Sequence, residues 1–305
     1  MTVPDGEVRL ALPGPLDLVR TMSALTFGPR DPRTFTRDDG FWMAVRTPDG
    51  AVTFRAWFPD ADTIALATWG PGSTWLLARA ADLLGLSDPI EDFCPEHPLV
   101  ARIHRTIPGW RLPRLPLVLE TLVPVIEGQL VTSEESFRSH RNLVLRYGDV
   151  APGPIRLKVA PSAETLHSLP SHAFTPLGFL SKHTRAIRLA ASRARRLEEA
   201  ASMALVPAAQ RLMAIPGIGP WTALTVLGRT LGHADAVPTG DFHLPSLVSL
   251  ALAGEESRDD RRMLELLEPF RPHRWRVVRL LVAGGPRRPR RTPLAPIRPL
   301  PDAEG

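Results

Sequence analysis

The chain has 305 residues, 44% hydrophobic and 23% charged, the balance of a globular protein with room for one large or two modest domains. The formal charge is +5, and all but two of its 37 basic residues are arginines, which form either a solvated surface or a face for a polyanion. Cys94 is the single cysteine, which excludes an internal disulfide, a cysteine zinc site and a cysteine-bound iron–sulfur cluster. The N-terminus does not resemble a signal peptide, and no apolar run approaches the roughly 20 residues of a membrane span, so we expect a soluble cytoplasmic protein.

Residues 1–90 predict a small α+β domain. Two alternating apolar runs at 41–58 surround Pro48-Asp49-Gly50, which predicts a β-hairpin, and TIALATW at 63–69 predicts a third strand. STWLLARAADLLGL at 73–86 has helical spacing with Ser73 as the N-cap, and we expect this helix to close the domain.

Helical patterns dominate from residue 91 to residue 285. The stretch 117–148 predicts two helices that meet near 128–132, and further helices are expected up to HADAVPTGD at 233–241, a turn-rich loop, and again after it. The tail at 286–305 is so rich in proline and arginine that we expect it to be disordered.

The apolar run LMAIPGIGPWTALTVLG at 212–228 is interrupted in its middle by Pro-Gly-Ile-Gly-Pro. Proline and glycine inside a helix cost roughly 3 and 1 kcal/mol, so we expect two helices joined by a tight hairpin within 207–231. Gly217 and Gly219 permit a close backbone approach, and Pro220 suits the first turn of the second helix. Free N–H groups at that helix start favour an anion such as a phosphate, whereas the alternative is a plain turn without a ligand.

The sequence PGIGPWTA at 216–223, followed by DAVPTGD at 235–241, resembles the helix-hairpin-helix/Gly-Pro-Asp superfamily of DNA glycosylases. More narrowly, the chain is similar to 3-methyladenine DNA glycosylase II, the AlkA type. VIEGQLVTSEE at 125–135 resembles that type's Gly-Gln-Leu-Val-Ser segment, with Thr132 for serine, and 176–194 resembles the helix pair ahead of its hairpin. LEPFRPHRWRVVRLL at 267–281 resembles its Pro-Trp-Arg helix, with His273 where tryptophan is usual.

The resemblance covers 98–283 well and implies a mainly α fold, with two helical subdomains behind an N-terminal α+β domain that carries a small antiparallel sheet. It also implies a monomer that binds damaged double-stranded DNA and associates with the nucleoid. The hairpin residues Pro216, Gly217, Ile218 and Gly219 would hold a backbone phosphate. A Na⁺ or K⁺ ion is expected at the backbone carbonyls of Met213, Ile215 and Ile218, with no other cofactor.

Gln129 and Leu130 match the wedge that enters the minor groove when the damaged nucleotide rotates out of the duplex. A leucine in the core is the alternative for Leu130. Asp241 matches the catalytic aspartate, whose carboxylate stabilises the positive charge that develops on the sugar and orients the attacking water. The alternative for Asp241 is a helix N-cap, and it can serve as both.

Trp221 and Phe242 match pocket aromatics that attract a cationic alkylated purine, the alternative for each being core packing. Two further aromatics of this pocket are replaced by Thr225 and Val282, which leaves the base preference open. Asp235, the second acid of the loop, is interpreted as structural, and His233 and His243 are assigned no role.

Superfamily members that also cleave the DNA backbone carry a Schiff-base lysine at the position of Trp221. We therefore expect a monofunctional hydrolase of base excision repair, with neither Lys158 nor Lys182 near the hairpin. Two alternatives are a non-catalytic DNA-binding protein on the same scaffold and a glycosylase for another damaged base.

Overall fold

A five-stranded antiparallel sheet forms the N-terminal part of the computed structural model, which describes residues 2–286. The strands lie in the order β1-β5-β4-β3-β2 and are β1 (Gly6–Ala11), β2 (Thr34–Arg37), β3 (Gly40–Thr47), β4 (Gly50–Trp57) and β5 (Thr63–Trp69). Thr47 pairs with Gly50 across the turn between β3 and β4, which confirms the predicted hairpin, and β5 confirms the third strand. The two edge strands, β1 and β2, were not predicted.

Both faces of the sheet are covered, which explains why its central strands are apolar almost without interruption. Met43 and Val45 of β3 face one hydrophobic core, whereas Trp42 faces another that includes Trp69 and the segment at 151–159. The rings of Trp42 and Trp69 stack with their centroids 5.2 Å apart.

The predicted single helix at 73–86 is wrong, because the segment forms two short helices separated at Ala78 and Arg79. The Arg79 guanidinium donates a hydrogen bond to the carbonyl of Trp75, and the backbone N–H of Arg79 donates to the carbonyl of Leu76. The regular i to i−4 pattern of backbone hydrogen bonds therefore ends at Arg79. Ser73 is not the N-cap either, since its hydroxyl donates to the carbonyl of Gly70 and the helix starts after Gly72.

Helices form most of the remaining described chain. They are α1 (Leu18–Met22), α2 (Ser73–Leu77), α3 (Ala80–Leu83), α4 (Pro98–Thr106), α5 (Val118–Glu127), α6 (Ser133–Tyr147), α7 (Ala163–Ser168), α8 (Ser181–Ser192), α9 (Ala194–Glu198), α10 (Leu205–Met213), α11 (Pro220–Thr230), α12 (Leu244–Ala253), α13 (Asp260–Leu267) and α14 (Arg274–Gly284). Short 3₁₀ turns lie at Ile90–Asp92, Ser171–Ala173, Thr175–Leu177, Glu199–Ser202 and Glu268–Phe270. The helices α5 and α6 confirm the predicted pair at 117–148.

The helices enclose two separate hydrophobic cores, which confirms the predicted mainly α fold with two helical subdomains. One core belongs to α5–α11 and is centred on residues such as Leu122, Ile187 and Leu227. The other unites α4 with α12–α14 through residues such as Ile103 and Val277, so it is built from two distant parts of the chain. The loop between α11 and α12 therefore passes from one subdomain to the other.

A buried ion-pair network ties the segment before β2 to Glu120 of α5, which also accepts the backbone N–H of Arg46 in β3. Arg33 lies 2.7 Å from Asp31 and 2.8 Å from Glu120 of α5, with its guanidinium almost inaccessible to water. Burial alone would raise the pKa of Asp31, yet Arg33 and His140 hold it at about 2. A buried pair of this kind becomes costly when one partner is removed, so it fixes the sheet against the helices.

Two sequence predictions keep that status. The domain boundary at residue 90 stays a prediction, and the predicted disordered tail lies, from residue 287 on, outside the described residues. Within residues 2–286, no helix combines the length and the apolarity that a membrane crossing needs.

Candidate active site

The predicted hairpin lies between α10 and α11, where its outer residues face solvent. Ile215 and Ile218 are buried and anchor the turn, while Pro216, Gly217 and Gly219 are exposed. Gly217 has φ +94°, a conformation that glycine adopts without strain. Pro220 occupies the first turn of α11, where the backbone N–H groups have no partner within the helix. The hairpin has the form of an anion site, and its phosphate and its alkali cation stay predictions.

Asp241 follows the hairpin helix in the loop that joins the two helical subdomains. Its Oδ2 accepts a hydrogen bond of 2.7 Å from the indole Nε1 of Trp221, the second residue of α11. Its Oδ1 accepts the backbone N–H groups of His243 and Leu244, at 2.7 and 2.8 Å. The N-cap residue of α12 is His243, so Asp241 is not the N-cap, but its carboxylate accepts the N–H of the first residue of α12 and also bonds to the hairpin helix.

The loop around Asp241 is fixed from both sides. The N–H of Gly240 donates to Oδ2 of Asp260, at the start of α13, over 2.7 Å. Asp235 bonds twice to the guanidinium of Arg274, at 2.6 and 2.8 Å, which agrees with its structural interpretation. The carboxylate of Asp241 is therefore held in place before any ligand binds, as electrostatic catalysis requires.

The two predicted pocket aromatics, Trp221 and Phe242, lie in different environments. Trp221 is half-buried against the core of α5–α11, whereas Phe242 is 72% exposed, which excludes core packing for Phe242. The Arg258 guanidinium lies 5.5 Å from the Phe242 ring centroid, and the ring of His243 meets Phe242 edge-on. Val282, which stands where the resemblance expects a pocket aromatic, is 60% exposed.

The turn between α5 and α6 presents Leu130 to solvent. Leu130 is 85% exposed and has φ +58°, which excludes the core alternative and suits a wedge. Gln129 differs from the prediction, because its side chain is turned into the protein. Its Nε2 donates to the carbonyl of Gly217 and to the hydroxyl of Thr222, at 3.0 and 2.8 Å.

Sequence reasoning missed the side chains that surround these residues. His183 of α8 donates from Nε2 to the Gln129 carbonyl over 2.9 Å, and burial lowers the pKa of His183. Lys182 and Arg185 are exposed on the same helix, whose Ala186 lies beside Gly217. The basic stretch SKHTR at the start of α8 was the available signal for these contacts.

The two lysines occupy different places relative to the hairpin. Lys158 donates to the carbonyl of Gly148 at the far end of α6, as expected of a lysine outside the site. Lys182 lies one turn before Ala186 on α8, and Ala186 adjoins the hairpin. The expectation that neither lysine lies near the hairpin therefore holds for Lys158 but not for Lys182.

A mostly apolar cavity of about 380 Å³ lies elsewhere, between the sheet and α5, and Asp241 and the hairpin do not line it. The Glu198 carboxylate at its edge accepts the N–H groups of Val118 and Leu119 at the start of α5. Burial raises the pKa of Glu198 to about 7 in spite of these two bonds.

Known structures resemble the whole arrangement. The chain is similar to a 3-methyladenine DNA glycosylase from Archaeoglobus fulgidus, with a TM-score of 0.76 and 19% identity over 91% of this chain and 98% of that one. It is also similar to the apo form of an 8-oxoguanine glycosylase/lyase from Clostridium acetobutylicum, with a TM-score of 0.71 and 13% identity over 91% and 96% of the two chains. No protein-family model and no curated protein matches the sequence.

The chain has the fold of the helix-hairpin-helix DNA glycosylases, as the sequence predicted. The two similar structures act, by their names, on different lesions, so the AlkA type within this fold stays a prediction.

Proposed function

We propose that the chain is a monofunctional DNA glycosylase of base excision repair, which releases alkylated purines such as 3-methyladenine from double-stranded DNA. The observation that carries the proposal is the hydrogen bond between Trp221 and Asp241, since it joins the hairpin helix to a carboxylate in the loop between the two subdomains. A phosphate on the hairpin would thus place the sugar of the same nucleotide near the carboxylate.

The chemistry needs few groups. Breaking the N-glycosidic bond transfers its electron pair to the departing base and leaves positive charge on the sugar. The Asp241 carboxylate stabilises this charge, and water then adds to the sugar through its oxygen and gives its proton to the same carboxylate. An alkylated purine already carries positive charge, which weakens the bond and is attracted by the faces of Trp221 and Phe242.

The surface near the hairpin supports DNA as the partner. Lys182 and Arg185 are exposed on α8 beside the hairpin, and cationic side chains of this kind bind backbone phosphates without reading sequence. The proposal includes a monomer that acts in the cytoplasm on nucleoid DNA, and an alkali cation at the carbonyls of Met213, Ile215 and Ile218. The Ile215 carbonyl also accepts the N–H of Ile218.

Two observations favour another damaged purine as a second candidate substrate. Thr225 and Val282 replace pocket aromatics, and the Arg258 guanidinium lies over Phe242, where it repels a cationic base. A neutral lesion such as 8-oxoguanine does not meet this repulsion.

Release of free base from duplex DNA tests the proposal. We expect wild-type protein to release 3-methyladenine from methylated DNA, with binding that weakens steeply as salt rises. Release from 8-oxoguanine DNA alone would transfer the activity to the second candidate. Salt-dependent binding without release of any base would leave a DNA-binding scaffold, and binding independent of salt would contradict DNA as the partner.

A further inference from the structure

The wedge turn holds a backbone conformation that its own residue does not favour. Leu130 is the only non-glycine residue between 2 and 286 with positive φ, and at 85% exposure its side chain gains little from packing. A leucine resists the left-handed region because its Cβ crowds the backbone. Such a conformation persists only when the surrounding contacts fix it.

Gln129 supplies these contacts at both of its ends. Its side-chain amide donates two hydrogen bonds, to the Gly217 carbonyl of the hairpin and to the Thr222 hydroxyl of α11. Its backbone carbonyl accepts the third, from Nε2 of His183, which is 2% exposed. The residue before the wedge is therefore bonded to α8, to α11 and to the apex of the hairpin.

The contacts continue to the candidate catalytic residue. A Cβ on Gly128, next to Gln129, would lie 3.6 Å from the indole of Trp221. Trp221 in turn bonds to Asp241. The wedge turn, the phosphate hairpin and the carboxylate thus form one connected unit, in which Gln129 is the link between the first two.

We propose that Gln129 is a positioning residue, a clamp that fixes Leu130 relative to the hairpin so that phosphate binding and wedge insertion occur together. Gln129 itself does not enter the DNA. The inference rests on the proposed function, because it assumes that Leu130 enters a duplex.

The clamp uses both N–H donors of an amide. The Gln129 amide donates to a carbonyl and to a hydroxyl at once, and glutamine places it at the right distance without adding a charge. Methionine at 129 has a similar length but no donor, and glutamate sets a carboxylate against the Gly217 carbonyl. Thr222 gives a matched pair, since serine keeps the bonded hydroxyl and valine removes it with little change in size.

The test measures wedge insertion directly, by the fluorescence of 2-aminopurine placed beside the target base, together with single-turnover base release. We expect Gln129→Met to lower both the fluorescence rise and the release rate constant about 10- to 100-fold, as for the loss of two hydrogen bonds. Its Kd for undamaged duplex DNA should change less than about threefold, because the phosphate contacts remain. Thr222→Val should lower the fluorescence rise and the release rate constant about 3- to 10-fold. Thr222→Ser should behave like wild type in both, because it keeps the hydroxyl.

Leu130→Ala provides the decisive background. With no wedge to position, Gln129→Met should add less than about a twofold change to the loss caused by Leu130→Ala. If the effects of Gln129→Met and Leu130→Ala multiply fully in the double variant, the clamp is overturned. A Gln129→Met protein equal to wild type in both readouts would overturn it as well. If Gln129→Met lowers the melting temperature markedly, the Thr222 pair decides in its place.

The failures of the two proposals are distinguishable. A wild type that unstacks 2-aminopurine but releases no base contradicts the glycosylase, and its Gln129→Met variant still tests the clamp by fluorescence. A wild type that releases base while Gln129→Met changes neither readout contradicts the clamp alone. A wild type that leaves 2-aminopurine stacked contradicts the clamp whatever its activity.

Discussion

Asp241→Asn removes the charge of the candidate catalytic group and keeps most of its contacts. The side-chain oxygen of asparagine is still an acceptor, so the N–H groups of His243 and Leu244 keep their partner. The amide nitrogen then faces the Trp221 indole, and a hydrogen bond to a charged group worth about 1.5–3 kcal/mol is lost. The loss of one positioned carboxylate should lower base release about 10²- to 10⁴-fold, or about 3–5 kcal/mol in the barrier.

Single-turnover base release at saturating enzyme, measured beside urea unfolding, separates the two effects. Asp235→Asn is the matched control, because it makes the same change in the same loop and weakens the contacts of Arg274 and Arg271 while Asp241 keeps its own partners. We expect it to be destabilised to a similar extent and to release base at the wild-type rate. A rate for Asp241→Asn within about tenfold of wild type would refute the catalytic role. An equal loss in Asp235→Asn would show that loop integrity, and not the carboxylate at 241, sets the rate.

Three further predictions concern the lyase chemistry, the hairpin and a buried carboxyl. Borohydride should trap no enzyme–DNA adduct, because Trp221 occupies the Schiff-base lysine position; an adduct on a gel would contradict the monofunctional assignment. Gly219→Ala should keep the free energy of unfolding within about 0.5 kcal/mol of wild type, because nothing in the protein lies within 4 Å of the new Cβ. The same Cβ should weaken DNA binding, because it obstructs the close approach of a phosphate to the hairpin. Gly217→Ala, at φ +94°, should also lose about 1–3 kcal/mol of stability in urea unfolding. Folding raises the Glu198 pKa from 4.5 to about 7. Its contribution to the free energy of unfolding is therefore fully present below pH 4.5 and is lost as the pH rises through 7. The stability of wild type relative to Glu198→Gln should therefore drop by about 3 kcal/mol between pH 4.5 and pH 8, and a difference that does not change with pH would contradict the raised pKa.

Sequence patterns predicted the elements whose signal is local. Pro48-Asp49-Gly50 between alternating runs specifies a hairpin by itself, and Pro-Gly-Ile-Gly inside an apolar run predicts the turn in which Gly217 has φ +94°. The helix at 73–86 failed for the opposite reason. Its break depends on the Arg79 side chain competing for a backbone carbonyl, and helical periodicity contains no record of that contact.

The candidate site shows the same division. Asp241 was singled out by its motif, and its carboxylate does bond to the hairpin helix and to the first N–H of α12, while its catalytic role stays a prediction. The orientation of Gln129 could not be foreseen, because its partners Gly217 and Thr222 lie about 90 residues away in the chain. A resemblance to a motif specifies which residue stands at a position, while the direction of its side chain depends on tertiary contacts.

The second helical core has a consequence for synthesis on the ribosome. The apolar face of α4, which includes Val100 and Ile103, packs against α14, which ends at Gly284. At a translation rate of about 5–20 residues per second, α14 is completed roughly 10–35 seconds after α4. During this time the first core, α5–α11, can already close, since its helices are contiguous in the chain. The nascent protein would thus form the hairpin between α10 and α11 before the second helical core exists, and α4 is the segment that a chaperone would need to shield.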